Sequence, residues 1–594
     1  MNQSRVKLGR WLPSLTLAMA ALVLAGAARA DQGHGHGRRL LVYQLLPAIQ
    51  TPEEAVREAA VFGLQPLGNQ TPAGVPGGMV FGDAAGHVRM IFADGSVRLF
   101  PNLDPEAPPP PPRGQALRMV WDLAGKLGLM RRGQPELHVG EITTLSNQGG
   151  EMQAGQPGTT GGGGTLVIGP QHDVLRNVQL VRQLGGMDVL GPTSILSFDV
   201  GAGGIAGASI SLRPIDPKGT PMEVISPDEA LRQFQQEFPY PVTIGRHDDD
   251  DDNGGAGQSD ATGGTAAAGD QTTGRLVSQR MIYYEQGMQV LQPAYLFMVL
   301  TTGPGGMTAG HTWLVPAVRN TPEPIVNRLL PSNELPILAA PDLINPVPIC
   351  VQPEKIKYGR YLLRNDDPGW TVDTQGFRTN IDATNALIRT FVPSLPPVDN
   401  AQYYWNYPWL WEPTGSPATD FSPSFPGSVN VALIEGHGGQ WIISTLSNCC
   451  DVIDLPKITG FGGYHTPSEL TDYVIWQSCD VVPAPGDPYG FNYVSPASPF
   501  DVWFGMFDGM RGTYGYRTTM NIWNGVGAKF GGDLGIGAAN LSAWFTECSN
   551  NVFHHGGGWN YGSAVLISGH EGDSLYDTCP LPPPGSLTIW WQHP

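Results

Sequence analysis

The chain has 594 residues, of which 78 are Gly and 55 are Pro, while 15% are charged and 41% are hydrophobic. The Gly and Pro content predicts many turns, but the hydrophobic fraction is sufficient for packed cores, so collagen, coiled coil and wholesale disorder are excluded. At roughly 100–200 residues per domain, the length predicts three or more folded units. A net charge of −19 without a long basic run makes nucleic acid and anionic membranes poor partners.

Residues 1–30 have the three parts of a secretory signal peptide. Basic residues at Arg5, Lys7 and Arg10 precede an apolar run over 12–27, and the segment ends in Ala28-Arg29-Ala30. No other stretch reaches ~18 consecutive apolar residues, the length of a membrane-spanning helix. The sequence therefore predicts a secreted or periplasmic protein, cleaved after Ala30, with no membrane span.

The distribution of cysteines divides the chain into two regions. Export implies oxidising conditions, in which cysteines are first interpreted as candidate disulfide partners. All six lie in the C-terminal half: Cys350, Cys449, Cys450, Cys479, Cys548 and Cys579.

Changes in composition predict the domain boundaries. Residues 31–321 form an accessory region with low-complexity insertions, of which 248–274, opening with five aspartates, is predicted to be a mobile loop. A Pro-rich linker follows over 322–357, and a second domain over 358–594.

The accessory region has the pattern of an α+β fold, with helices packed on antiparallel sheet. Capping residues followed by Pro predict helix starts at Thr51 and Ser226. Strands are predicted within 87–100, 194–213 and 281–300.

Three segments of this region, 226–238, 280–284 and 291–297, resemble PepSY-type modules, which often occur in the propeptides of secreted peptidases. The resemblance implies that the accessory region folds separately and inhibits the second domain by covering its crevice. An unrelated α+β accessory domain remains the alternative.

The second domain is rich in aromatic residues, with a cluster over 403–411. Exposed aromatics can form a carbohydrate platform, but in a Gly-rich region they more often supply the core. We expect this cluster to be buried.

Two segments of the second domain share one design. The apolar run 429–434 leads into Glu435-Gly436-His437, and the run 473–476 leads into Gln477-Ser478-Cys479. Each pattern predicts a buried strand that delivers a reactive side chain at its carboxyl end. In a parallel sheet those ends line one crevice, where functional sites collect.

A thiol and an imidazole in one crevice have a specific chemistry. The imidazole of His437 can raise the thiolate fraction of Cys479 and later protonate a leaving group. Backbone N–H groups near Gly438 and Cys479 can stabilise an oxyanion.

The segments 431–438 and 473–479, with a further strand over 510–518, resemble the caspase-like (clan CD) cysteine peptidases, and also uncharacterised secreted bacterial proteins of that fold. The resemblance implies an α/β domain with a mainly parallel sheet that hydrolyses peptide bonds. It assigns His437 as general acid and base and Cys479 as nucleophile, with no cofactor and a protein or peptide as substrate.

Two features of the sequence depart from this pattern and keep alternatives open. Ser478 and Asp480 flank the cysteine, and a carboxylate beside the thiol opposes thiolate formation. The even number of cysteines also allows a catalytically inactive binding domain in which Cys479 is disulfide-bonded.

A histidine-dependent metal hydrolase is the remaining alternative. It would use His437 with other histidines of the same region, namely His465, His554, His555 and His570. No fixed ligand spacing supports it, and neither a G-x-S-x-G nor a P-loop motif is present.

Overall fold

The computed structural model describes residues 39–46, 52–67, 79–93, 96–129, 136–153, 165–191, 194–244, 273–285, 289–302, 308–325, 327, 353–362, 368–411, 425–444, 452–462, 464, 469–487, 498–521, 525–550 and 559–594. The predicted signal peptide, the predicted loop up to residue 272 and most of the predicted linker lie outside these ranges. Within them, no helix combines the length and apolar character needed to cross a membrane.

The helices in the described ranges are α1 Pro52–Val61, α2 Arg113–Lys126, α3 Pro227–Glu237, α4 Pro368–Phe391, α5 Pro499–Met506, α6 Val526–Gly535 and α7 Asn540–Ser549. The strands up to residue 316 are β1 Arg39–Gln44, β2 Gln65–Pro66, β3 Met79–Gly82, β4 Val88–Ala93, β5 Ser96–Leu99, β6 Glu136–Gln153, β7 Thr165–Leu184, β8 Met187–Leu190, β9 Ser194–Gly201, β10 Gly204–Leu212, β11 Thr220–Glu223, β12 Val242–Ile244, β13 Thr273–Tyr284, β14 Val290–Thr302 and β15 Thr308–Pro316. The later strands are β16 Ile356–Leu362, β17 Val398–Trp405, β18 Val431–Glu435, β19 Gly438–Gly439, β20 Ile442–Ser444, β21 Val452–Asp454, β22 Tyr473–Gln477, β23 Gly512–Tyr516, β24 Gly562–Ile567 and β25 Ser586–His593.

A large mixed sheet organises the chain. Its order is β17–β16–β18–β22–β23–β24–β25–β6–β7–β9–β10–β5–β4–β3–β2. The pairings from β17 to β23 are parallel, and every pairing beyond β23 is antiparallel. The strands β18 and β22 therefore form where apolar runs predict them, and β23 lies within the strand expected over 510–518. The parallel portion brings their carboxyl ends to one edge.

The central parallel strands are buried on both faces, which explains why their sequences are almost continuously apolar. On one face, Leu433 and Ile475 pack in a core with Trp544 of α7. On the other, Ile434 and Trp476 pack in a second core that includes Trp503 of α5. Helices thus cover both sides of the parallel strands.

The aromatic cluster contributes to this second core. Trp411 is fully buried and its ring centroid lies 5.5 Å from that of Trp476, while Tyr404 packs against Phe425. Burial of Tyr404 and Trp411 confirms the expectation that the cluster supplies core packing.

The accessory region contains helices on antiparallel sheet, as predicted. Strands β13, β14 and β15 form an antiparallel sheet against which Phe234 of α3 packs, with its ring stacked on Phe297 at 4.5 Å. The side chain of Ser226 accepts a hydrogen bond from the Glu229 amide at 3.1 Å, which confirms the predicted helix start. The predicted strands within 87–100, 194–213 and 281–300 are also present.

Strand pairing crosses the predicted boundary between the two regions. The last strand, β25, pairs with β6 from Ser586↔Glu151 to His593↔Thr144. Arg98 of β5 also forms ion pairs with Asp533 and Glu547 on α6 and α7. The structure thus differs from the expectation of two separately folding regions, since removal of the accessory region would leave β25 as an unpaired edge.

Candidate functional site

The two predicted reactive side chains follow neighbouring parallel strands. Glu435 at the end of β18 and Gln477 at the end of β22 are register partners. The amide of Gly436 donates to the carbonyl oxygen of Gln477 at 3.3 Å, so the chains remain adjacent beyond the strands. The predicted parallel arrangement is therefore present, with His437 and Cys479 each two residues beyond the end of its strand.

Gly438 allows these two segments to approach closely. A Cβ atom at this position would collide with the Ser478 side chain and the Cys479 carbonyl oxygen, and would lie 2.8 Å from Val481. The hydroxyl of Ser478 donates to the Gly436 carbonyl oxygen at 2.8 Å, which fixes the two segments together. A glycine is required here because backbone from one segment packs directly on the other.

His437 is half-buried between β18 and β19. Its carbonyl oxygen accepts hydrogen bonds from the amide and the hydroxyl of Ser444, at 2.9 and 3.0 Å. These bonds hold the backbone of the histidine in place at the edge of the sheet.

Cys479 has a free, fully buried thiol. Its sulfur accepts a hydrogen bond from the Met520 amide at 3.3 Å and lies 3.7 Å from the Met520 carbonyl oxygen. Burial raises the pKa of the Cys479 thiol well above its ordinary value, and the charge of Asp480 raises it further. In this arrangement the thiol is protonated at neutral pH.

Asp480 is held in an unusual position beside that thiol. Its backbone has a φ of 54°, in the left-handed region, and its amide donates to the Thr518 carbonyl oxygen at 3.2 Å. Burial raises the pKa of Asp480 to about 7, with a further contribution from the charge of Asp487, while Arg517 opposes the rise. Arg517 itself is paired with Asp487.

We predict that Asp480→Asn stabilises the protein at alkaline pH. Because the pKa of Asp480 is higher in the folded state, folding stability declines as pH rises from about 4 to about 7 and the half-buried carboxylate ionises. Asn removes that charge and tolerates the left-handed conformation. Thermal unfolding should show a melting temperature above that of the parent at about pH 8 and a difference that shrinks towards pH 4. A pH-independent difference would contradict this assignment.

A strand of the accessory region lies across the same edge, which sequence reasoning did not anticipate. Thr308 of β15 pairs with Gly438, and the amide of Gly310 donates to the Met520 carbonyl oxygen at 2.9 Å. Gly310 also forms an isolated parallel bridge with Asn521. The accessory strand therefore contacts both the segment that follows His437 and the segment that holds the Cys479 thiol.

The described residues contain no group of three or more His, Cys, Asp or Glu side chains arranged to hold a metal ion. His570 is paired with Asp573 at 2.9 Å. The other three histidines of the metal alternative, His465, His554 and His555, lie outside the described ranges.

Comparisons with known proteins do not assign the chain to a family. No family model and no curated protein matches it. Among solved structures, it is similar to an uncharacterised protein from Eubacterium rectale, at 8% identity and a TM-score of 0.28, over 48% of this chain and 87% of that chain. This likeness is too slight to bear on fold or function.

Proposed function

We propose that the chain is an exported, caspase-like cysteine peptidase in which Cys479 is the nucleophile and His437 the general acid and base. The observation that carries this proposal is the in-register ending of β18 and β22 at Glu435 and Gln477, which brings the two following segments together. The close packing of Gly438 on the Cys479 backbone supports it.

In the proposed reaction, the Cys479 sulfur attacks the carbonyl carbon of the substrate while its proton passes to His437. The oxyanion accepts hydrogen bonds from backbone N–H groups near Gly438. His437 then protonates the departing amine as the C–N bond breaks, and water hydrolyses the resulting thioester to regenerate the thiol.

The accessory region is proposed to hold this peptidase latent. Its strand β15 pairs with Gly438, and the amide of Gly310 in β15 donates a hydrogen bond to the Met520 carbonyl oxygen. The Met520 amide donates in turn to the Cys479 sulfur. A buried, protonated thiol is a poor nucleophile, because the thiolate is the reactive form. Displacement of β15 would open the edge of the sheet and expose Cys479 to solvent and to His437. This role is the one that the resemblance to PepSY-type propeptides implies.

A catalytically inactive binding domain on the same fold is the second candidate. It is favoured by the complete burial of Cys479, whose thiol hydrogen-bonds to backbone as a structural residue does. Because the thiol is free, its inactivity would come from burial and not from a disulfide.

Inhibitor profiles of peptide hydrolysis distinguish the candidates. The mature chain is incubated with a fluorescent casein substrate before and after limited proteolysis. We expect hydrolysis that increases after proteolysis, disappears on thiol alkylation and persists with the zinc chelator 1,10-phenanthroline. Loss with the chelator would favour the metal hydrolase, and no hydrolysis in either sample would favour the binding domain.

A further inference from the structure

A buried polar cluster lies on the α4 and α6 side of the parallel strands, below the proposed catalytic edge. It consists of Asp373 on α4, Glu435 at the end of β18 and Gln477 at the end of β22, which are 4%, 0% and 0% exposed. We call these three residues the strand-end cluster.

Contacts with the start of α6 bring the cluster together. One carboxylate oxygen of Asp373, Oδ1, accepts a hydrogen bond from the Ala528 amide at 3.1 Å. A Cβ atom placed on Gly527 would lie 2.7 Å from the other oxygen, Oδ2, and 2.8 Å from Nε2 of Gln477. The Asp373 carboxylate and the Gln477 amide therefore face the same point, and Glu435 lies beside Gln477 as its register partner.

Five polar atoms of the cluster form no well-aligned hydrogen bond with a described residue, while the hydroxyl and amide of Thr374 lie close enough to Glu435 to lower its pKa. These atoms are Oδ2 of Asp373, both carboxylate oxygens of Glu435, and both Oε1 and Nε2 of Gln477. Burial of a polar group without a partner is costly, and buried polar atoms in native proteins almost always have one. Five such atoms in three neighbouring side chains point to a ligand.

Two protein cations act on the cluster electrostatically, Arg360 on Glu435 and Lys529 on Asp373. The guanidinium of Arg360 is close enough to oppose the rise in the pKa of Glu435, which burial and then the charge of Asp373 produce. Its Nε atom, however, donates to Asn400 at 2.9 Å, and its guanidinium lies 4.1 Å from the ring centroid of Tyr403.

We propose that Asp373, Glu435 and Gln477 bind a hard cation of the calcium class. All three side chains offer oxygen ligands. Rotation of the Gln477 amide group by about 180° exchanges the positions of its nitrogen and its oxygen, so that the oxygen faces the ion. Hard oxygen ligands suit Ca²⁺ and Mg²⁺ and disfavour the softer transition metals. Complete burial favours Ca²⁺, because Mg²⁺ usually keeps several of its waters.

The position of the ion gives it a structural role at the proposed catalytic edge. Glu435 directly precedes Gly436-His437, and Gln477 directly precedes Ser478-Cys479. An ion between them would hold the two strand ends in register. The inference stands whether or not the chain is a peptidase, since it rests on the strand-end cluster alone.

Calcium titration of the full mature chain tests the proposal. After chelator treatment, added CaCl₂ should raise the melting temperature in a saturable manner, by about 2 °C or more, with one binding event per chain by isothermal titration. Glu435→Gln and Asp373→Asn each remove one charge with little change in shape, and both should lose the calcium-dependent rise. MgCl₂ at the same concentration should produce a smaller rise in the melting temperature of the parent.

A variant in which Asp248 to Asp252 are all replaced by Asn controls for weak calcium binding at that acidic run, and it should respond like the parent. Three results would overturn the proposal. Either calcium does not raise the melting temperature of the parent, or it raises that of Glu435→Gln by as much as that of the parent, or it no longer raises that of the 248–252 variant. If either cluster variant fails to fold, the number of calcium ions bound per parent chain still tests the proposal. Two or more weak binding events, or no binding, would contradict a single buried site.

Discussion

Replacing Cys479 by Ala is expected to reduce peptide hydrolysis by roughly 10³-fold or more in the proteolytically activated protein, because the proposed thioester forms on the Cys479 sulfur. His437→Ala should lower hydrolysis by roughly 10²–10⁴-fold, the usual contribution of a general acid and base. Turnover of a fluorescent casein substrate measures both effects.

The chain offers a matched control in Cys548. This residue also has a free, fully buried thiol and packs in the same hydrophobic core as Cys479. Either substitution by Ala should cost about 0.5–3 kcal/mol of unfolding free energy, as expected when a small buried group is removed. Equal losses of hydrolysis in the two variants would show that packing, and not the Cys479 thiol, is required.

Gly310→Val is expected to activate the intact chain. A Cβ atom at Gly310 would lie 2.9 Å from the Trp559 ring and 3.0 Å from the Met520 carbonyl oxygen, so a larger side chain cannot fit while β15 stays in place. Overpacking of this kind destabilises the state with β15 in place by roughly 1–3 kcal/mol. The ratio of chains with β15 displaced to chains with β15 in place should therefore rise by roughly 5–150-fold. Hydrolysis by the unproteolysed variant should rise accordingly.

Gly149→Val is the control for this prediction, because Gly149 also lies in a strand, β6, and a Cβ atom there meets nothing within 4 Å. It should leave hydrolysis unchanged. If Gly310→Val folds normally and is no more active than Gly149→Val, then β15 is not the inhibitory element.

The elements of the proposed site were predictable because they are local. The continuous apolar runs that end at Ile434 and Trp476 indicate buried strands, and strands of that kind occur in parallel sheets. The helix that begins after Ser226 was equally clear, since a capping hydroxyl and a proline act within one turn. Each of these patterns depends on residues close in sequence.

The features that the sequence did not reveal depend on distant contacts. The pairing of Thr308 with Gly438, and that of β25 with β6, joins segments more than 100 residues apart, and no residue pattern in either partner specifies the other. The same limit applies to the thiol of Cys479. A cysteine at a strand end has the same sequence pattern whether it is exposed or enclosed by a remote backbone, here that of Met520.

The strand-end cluster was missed for a different reason. Glu435 and Gln477 lie two residues before His437 and Cys479, and a single polar residue at the end of an apolar run is typical of a strand leaving the core. Only the register of β18 with β22 and the approach of Asp373 show that these side chains share one buried space.

The most direct test of the central claim is the site of covalent labelling by a thiol-reactive peptide probe, mapped by mass spectrometry in the folded parent and in Gly310→Val. We predict slow labelling in the parent, and fast labelling at Cys479 in Gly310→Val that is reduced when His437 is also replaced by Ala. As a control, the probe should label Cys479 in the unfolded chain, where the thiol is exposed. If Cys479 stays unlabelled in folded Gly310→Val, or if a different cysteine takes the probe, the thiol is a structural group and the chain is not the proposed peptidase.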